Sequence, residues 1–303
     1  MSRQQLQELL RRLQASPATV DAPIDEQRQD VERLALLPIP AGVECQPVDA
    51  EGVRAEWVTA AGADPGRAVI YLHGGAYVLG SIDTHRGVAA RISRASLARV
   101  LLIGYRLAPE HPFPAALDDS LAAYRWMLAT GLDPVRSALA GDSAGGGLAI
   151  ATLVALREAR LPLPAAAVCL SPWVDLEATG ESMTTRAAVD PFISRDWLMA
   201  MAGLYLAGRD PRTPLASPLN ADLSGLPPLL IQVGTAETLL DDANRLAERA
   251  RAAGVTVQLE SWEHMTHGWH AFAGMLNEGQ LAIDRVGEFV SAKTGAAQEG
   301  ELA

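Results

Sequence analysis

Short apolar runs alternate with longer segments of helical periodicity from about residue 54 to residue 293 of the chain. Eight runs predict strands, at residues 43–48, 54–59, 68–72, 100–105, 137–140, 166–170, 229–233 and 255–261. Six segments predict helices, at residues 87–95, 114–129, 145–158, 196–206, 239–253 and 278–292. Because strands that alternate with helices form parallel sheets, the pattern predicts an α/β fold with one mostly parallel, doubly wound sheet and helices on both faces.

Two segments interrupt this alternation. Residues 1–40 predict two amphipathic helices that end at Pro38-Ile39-Pro40, with one apolar stripe on each. The stripes consist of Leu6, Leu9, Leu10 and Leu13 in the first helix and Val31, Leu34 and Leu37 in the second. Residues 175–212, rich in Met, Trp and Arg, separate the sixth and seventh predicted strands. An interruption of this length in an α/β sheet is usually functional, such as a lid, although a surface insertion is the alternative.

Composition narrows the classes of protein. With 303 residues, 49% of them hydrophobic and 20% charged, the chain can bury one large core, with or without a small accessory layer. No run of about 18 apolar residues indicates a membrane span, and the N-terminal segment lacks the apolar core of a secretory signal. A net charge of −11 disfavours nucleic acid or an anionic membrane as a partner. Cys45 and Cys169, each in an apolar strand-like run, predict two buried thiols in a reduced, cytoplasmic protein.

The most specific chemical motif is Gly141-Asp142-Ser143-Ala144-Gly145, which follows a predicted strand and opens a predicted helix. This strand–turn–helix context is typical of a nucleophile elbow, a turn so sharp that its flanking positions cannot carry large side chains. The serine of such a turn projects to where a substrate can reach it. A serine hydroxyl is a weak nucleophile until a base removes its proton, so a base and an orienting acid are required.

Both partners can be found downstream of Ser143, in the order acid and then histidine. Glu237 lies just past the end of the seventh predicted strand, and three histidines, His264, His267 and His270, follow the eighth. The carboxyl ends of parallel strands meet at one edge of the sheet, which favours a common site. The three histidines also suggest a metal site, but three-residue steps drift around a helix and no acidic or Cys ligand accompanies them at a suitable spacing.

Two further carboxylates compete for the role of the acid. Asp241 and Asp242 lie one turn into the helix predicted after Glu237. An acid of this kind belongs on the loop directly after its strand, which favours Glu237.

A glycine pair precedes the elbow by about seventy residues. The strand at residues 68–72 leads into His73-Gly74-Gly75-Ala76. Glycine lets the backbone approach a tetrahedral intermediate closely and turn its N–H groups toward it. The N–H groups of Gly74, Gly75 and Ala76, together with that of Ala144, therefore form a candidate oxyanion hole.

With these motifs the chain resembles the hormone-sensitive-lipase-like esterases, bacterial family IV, of the α/β-hydrolase fold. The resemblance covers nearly the whole sequence. It rests on six motifs: residues 73–76 (HGGA), 105–116 (YRLAPEHPFPAA), 141–146 (GDSAGG), 171–176 (SPWVDL), 223–228 (LSGLPP) and 265–267 (MTH). Glu237 stands where the family more often has Asp, so its loop must lie slightly further from the base. Residues 105–116 are interpreted as a structural turn that braces the elbow.

The resemblance implies Ser143 as nucleophile, His267 as base and Glu237 as acid, with the oxyanion hole already described. It implies a helical cap, formed by residues 1–40 and 175–212, over a catalytic core of residues 41–174 and 213–295. The terminal residues 296–303 are predicted from the sequence to form a flexible tail. Members hydrolyse carboxylic esters of short to medium acyl chains without a cofactor or metal. They commonly form dimers, so a homodimer is expected.

Two other enzymatic activities remain open on this sequence, and a non-catalytic role is the remote alternative. A lactone hydrolase, for example on terpenoid lactones, or an acyltransferase would use the same acyl-enzyme. A non-catalytic ligand receptor of the same fold would need the loss of a catalytic residue. Ser143, Glu237 and His267 are all present, which disfavours this role. Haloalkane dehalogenase and epoxide hydrolase chemistry need Asp at the elbow, which Ser143 excludes.

Overall fold

The computed structural model describes residues 3–14, 22–34 and 38–295. Eight strands form one sheet in the order β1-β2-β4-β3-β5-β6-β7-β8. They are β1 (Val43–Ala50), β2 (Val53–Ala60), β3 (Asp64–Leu72), β4 (Ala98–Ile103), β5 (Ser137–Asp142), β6 (Ala166–Leu170), β7 (Leu229–Gly234) and β8 (Val257–Trp262). β2 is antiparallel to both of its neighbours, and the remaining neighbours pair in parallel. The predicted fold class, an eight-stranded and mostly parallel α/β sheet, is confirmed.

Nine α-helices lie in the described part of the chain. They are α1 (Arg3–Gln14), α2 (Ile24–Leu34), α3 (Ile82–Ser96), α4 (Ala115–Ala129), α5 (Ala144–Glu158), α6 (Ser182–Thr185), α7 (Arg195–Leu206), α8 (Leu240–Ala252) and α9 (Asn277–Thr294). α3 and α9 pack on one face of the sheet, and α4, α5 and α8 cover the other. Within the described ranges, none of these helices combines the length and apolarity that crossing a bilayer would take.

Alternation along the central strands divides the core in two. In β3, Ile70 and Leu72 join the cluster beneath α4, α5 and α8, whereas Val69 and Tyr71 join the cluster beneath α3 and α9. All four side chains are buried. Because helices cover both faces, such strands need apolar residues at every position, which is why they appear in the sequence as continuous apolar runs.

The start of α3 differs from the prediction, since the helix begins at Ile82 rather than at residue 87. Ser81 caps it by accepting a hydrogen bond from the Thr84 N–H, and the Thr84 hydroxyl accepts one from the Ser81 N–H. This reciprocal capping box stabilises a polar first turn that apolar periodicity alone does not reveal.

The prediction of two buried thiols is wrong for Cys45. Cys169 is buried in β6, and burial raises the pKa of its thiol to about 12. Cys45 is exposed, because β1 is an edge strand whose central residues face solvent. Neither cysteine forms a disulfide.

The two N-terminal helices lie against the rest of the molecule through part of their predicted stripes. Leu9 is buried in a small cluster with Met265, Trp269 and Leu276, and Leu6 packs at its margin. Val31 packs against the larger core cluster. The side chains of Leu13 and Leu34, all of Leu37 and the tail at 296–303 lie outside the described residues.

Candidate active site

Ser143 occupies the turn between β5 and α5, as the elbow motif predicts. Its backbone has φ +53° and ψ −121°, a strained conformation for a residue with a side chain. The Ser143 N–H donates to the Leu170 carbonyl (2.8 Å), and its carbonyl accepts from the Trp173 N–H (2.9 Å). These two hydrogen bonds tie the turn to β6 and the segment after it, which supports the strained geometry.

The glycines of the elbow are required by close backbone contacts. A Cβ atom on Gly141 would strike the Gly145 carbonyl, and one on Gly145 would strike the Leu72 carbonyl of β3. Both contacts are with backbone that cannot move aside cheaply. The expectation that the positions flanking the serine cannot carry large side chains is therefore confirmed.

Glu237 lies on the loop after β7 and is completely buried. Its Oε1 accepts from the Gly234 N–H (2.6 Å) and from the Ser171 hydroxyl (2.7 Å). Its Oε2 lies 3.0 Å from Nδ1 of His267. One oxygen is thus fixed by the core, and the other is directed at the histidine.

The two competing carboxylates contact other groups. Asp241 Oδ2 accepts from the Ser182 N–H (2.8 Å) at the start of α6. Asp242 is buried, and its Oδ2 accepts from the N–H groups of Val174 (2.9 Å) and Asp175 (3.0 Å). Burial raises the pKa of Asp242 to about 7. Among the three carboxylates, the hydrogen bond to His267 belongs to Glu237.

His267, on the segment after β8, has an electrostatic environment that favours its protonated form. Burial lowers the pKa of His267, but the hydrogen bond and charge of Glu237, with the charges of Asp190 and Asp142, outweigh burial and raise it overall. Its side chain is 11% exposed, and its Nε2 has no hydrogen-bond partner among the described residues. The ring can therefore accept a proton on Nε2 while Nδ1–H donates to Glu237.

The other two histidines of this segment have different surroundings. His264 is exposed beside Glu263. His270 is buried with its Nε2 2.9 Å from Oε1 of Gln232, and burial lowers its pKa to about 3. The three rings thus have separate partners, and the described residues hold no group of three ligands suited to a metal ion.

The turn after β3 contacts the elbow through Gly74 and Asp142 and carries several backbone donors. Gly75 has φ +113° and Ala76 has φ +54°. Within the described ranges, the N–H groups of Gly75, Ala76 and Ala144 have no hydrogen-bond partner. The N–H of Gly74 differs, because it donates to Oδ1 of Asp142 (3.0 Å). Three of the four predicted oxyanion donors are therefore free to bind a ligand, and Gly74 is engaged internally.

A second carboxylate–histidine pair, whose two members were not predicted to meet, supports this turn. Asp142 accepts from the Tyr71 hydroxyl (2.8 Å) and faces Nε2 of His85 (3.3 Å). Burial alone would raise the pKa of Asp142, but the charge and hydrogen bond of His85 and the bond from Tyr71 lower it to about 2. The signal in sequence was weak, because His85 lies in the polar first turn of α3.

The segment 105–116 braces the same turn, in line with its interpretation as a structural element. The Tyr105 hydroxyl donates to the His73 carbonyl (2.6 Å), and the two rings stack with centroids 4.2 Å apart. Glu110 pairs with Arg28 of α2 through two hydrogen bonds of 2.8 Å. Arg28 also donates to the carbonyl of Val78 (2.9 Å), so α2 is tied to the loop next to the candidate oxyanion donors.

Comparison with known proteins assigns a class to this arrangement. Residues 69–271 match the model of an α/β-hydrolase-fold family. An acetyl-hydrolase of Streptomyces hygroscopicus is 53% identical over 241 residues, covering 80% of each chain. An esterase of Acinetobacter venetianus is 35% identical over 257 residues, covering 84% of each. The crystal structure of an esterase from the bacterial hormone-sensitive lipase family superimposes with a TM-score of 0.94 at 51% identity, covering 97% of this chain and 100% of the other.

The fold and the matched family define the protein as an α/β-hydrolase that hydrolyses carboxylic esters. The chain belongs to the hormone-sensitive-lipase-like carboxylesterases, bacterial family IV, as its motifs indicated.

Proposed function

We propose that the chain is a serine carboxylesterase acting on short- to medium-chain esters through an acyl-enzyme. His267 Nε2 takes the proton of the Ser143 hydroxyl as Oγ attacks the ester carbonyl. The carbonyl electron pair moves to oxygen, forming a tetrahedral oxyanion. Collapse of this intermediate breaks the bond to the alcohol, which leaves with the proton from His267.

Deacylation repeats these steps with water as the nucleophile. His267 removes a proton from water, the resulting hydroxide attacks the acyl carbonyl, and Ser143 leaves with that proton as the carboxylic acid is released. Glu237 holds the imidazole with Nδ1–H directed at its Oε2 and stabilises the imidazolium in both halves. No other reactant is needed.

The oxyanion is bound by the N–H groups of Gly75, Ala76 and Ala144. Their lack of partners elsewhere in the described residues supports this role. Donors fixed before the reaction stabilise developing charge without reorganisation. Gly74 contributes to the hole indirectly, since its hydrogen bond to Asp142 holds the turn in place.

The observation that carries the proposal is the Glu237–His267 hydrogen bond, together with a serine on a strained elbow at the carboxyl end of β5 in the same sheet. A buried carboxylate fixed by Gly234 and Ser171 and directed at a histidine with one free nitrogen is the arrangement an acyl-transfer base requires. The relatives named esterase and acetyl-hydrolase support a carboxylic ester as substrate.

Residues 1–40 and 175–212 are proposed to form the cap over this site. Leu9 of α1 packs with Met265 and Trp269, which flank His267, and Trp197 of α7 donates to Gln27 of α2 (3.0 Å). Met201 of α7 is buried, whereas Met199 is exposed. A small apolar enclosure favours acyl chains of roughly four to eight carbons, since each buried CH₂ contributes about 0.8 kcal/mol only while space remains.

A substrate panel tests the proposal and separates it from the alternatives. p-Nitrophenyl esters of increasing acyl length and a set of lactones are compared, with products analysed with and without added alcohol. We expect the highest kcat/KM on esters of roughly four to eight carbons, with free acid as the main product. Faster turnover of lactones, or ester product predominating at low alcohol concentration, would instead support the lactonase or the acyltransferase.

A further inference from the structure

Asp190 lies in residues 175–212, the segment between β6 and β7 that is called the excursion from here on. It precedes the N-cap of α7 by four residues. Its Oδ1 accepts from the N–H groups of Phe192 (3.0 Å) and Ile193 (3.1 Å). Its Oδ2 accepts from the N–H (2.8 Å) and the hydroxyl (3.0 Å) of Thr238. With four hydrogen bonds, the carboxylate is fully engaged.

Thr238 connects this carboxylate to the acid of the site, because it directly follows Glu237 in the chain and is fully buried. A second residue of the excursion holds the same position, since the Ser182 hydroxyl donates to the Thr238 carbonyl (2.6 Å). Thr238 is therefore held by the excursion on both its donor and its acceptor side. The Glu237 carboxylate itself is held by Gly234 and Ser171.

The Asp190 carboxylate also contributes to the electrostatic environment of His267. The charged or titratable groups that influence His267 are the carboxylates of Glu237, Asp190 and Asp142 and the imidazole of His270. His270 has a pKa of about 3 and is neutral at working pH. The three carboxylates raise the pKa of His267, and Asp190 is the one contributed by the excursion rather than by the sheet.

We propose that Asp190 is a positioning residue for the acid–base pair, holding Glu237 through Thr238 and adding negative charge that favours the imidazolium. This inference rests on the proposed serine mechanism. Through Asp190 and Ser182, the excursion would then hold the acid in place in addition to its proposed role as a cover.

The Asp190→Asn variant tests this directly. An amide has one acceptor oxygen where the carboxylate has two, so it cannot accept all four hydrogen bonds. We expect kcat on p-nitrophenyl butyrate to fall by about tenfold with KM within about twofold of wild type. The lost charge lowers the pKa of His267, so the acid limb of the kcat/KM profile moves to lower pH.

Three further variants isolate the effect. Asp196 is an exposed residue of the same excursion, with no hydrogen bond or ion pair within the described residues. Asp196→Asn removes its charge and should have the wild-type kcat and acid limb. Asp190→Glu keeps the charge and should restore the wild-type acid limb. Thr238→Val removes one bond to Asp190 but keeps the charge, and should lower kcat by about threefold with an unchanged acid limb.

An Asp190→Asn variant with wild-type kcat and acid limb would overturn the proposal. A fall in kcat of Asp190→Asn without movement of the acid limb would overturn the electrostatic part of the proposal. An unchanged kcat in Thr238→Val would overturn the positioning part. The Thr238→Val result decides that part even where Asp190→Asn does not fold. Labelling of wild-type Ser143 by a fluorophosphonate is measured in parallel. Absence of labelling at Ser143 in the wild-type protein would contradict the serine mechanism itself, whatever the kinetics of the Asp190 variants.

Discussion

Two carboxylate–histidine pairs lie at the carboxyl edge of the sheet. Glu237 is 3.0 Å from Nδ1 of His267, and Asp142 is 3.3 Å from Nε2 of His85. In both pairs the carboxylate raises the pKa of its histidine against the opposing effect of burial. The two imidazoles are also similarly buried, since both are less than 15% exposed.

They differ at the second ring nitrogen. Nδ1 of His85 is 2.7 Å from the Thr84 hydroxyl, so both of its nitrogens are engaged. Nε2 of His267 has no partner in the described part of the chain. A base needs one nitrogen fixed and one free, so only His267 can exchange a proton with a substrate. His85 instead stabilises Asp142, which holds Gly74 and with it the turn that carries the candidate oxyanion donors.

The sharpest way to break this comparison is the same substitution in both histidines. We expect His267→Asn to lower kcat on p-nitrophenyl butyrate by about 10⁴-fold or more, because no base remains. His85→Asn should cost only about 10- to 100-fold, since it loosens the turn but keeps the base. Initial rates on purified variants of matched thermal stability measure both. Equal losses in the two variants would show that the pairs are not functionally distinct.

A smaller effect distinguishes the acids. Glu237→Gln should lower kcat by roughly 10²–10⁴-fold, because His267 loses the carboxylate that orients it while the oxyanion donors remain. Asp241→Asn, which affects a bond to the Ser182 backbone, should cost less than about threefold. The same kinetic assay applies to both variants. If the larger loss came from Asp241, the acid would have been assigned to the wrong residue.

The sequence predicted the parts of the site that depend on local signals. Ser143 and Glu237 follow strands whose apolar runs are unmistakable, and glycine spacing marked the elbow. The contacts of Asp190 with Thr238 and of His85 with Asp142 could not be found in this way, because they join residues that are distant in sequence. The exposure of Cys45 was missed because the prediction considered only the strand-like character of residues 43–48. Glu44, Gln46 and Pro47 in that run are typical of an edge strand, which is where β1 lies. The homodimer stays a prediction.

The central claim is that Ser143 forms the acyl-enzyme. Its most direct test is intact-protein and peptide mass spectrometry after reaction with a fluorophosphonate. The account predicts one adduct per chain, on the peptide containing Ser143, with loss of esterase activity in proportion to labelling. It also predicts no adduct and at least a 10⁴-fold lower kcat in Ser143→Ala. Stoichiometric labelling of another residue, or near wild-type turnover by Ser143→Ala, would contradict it.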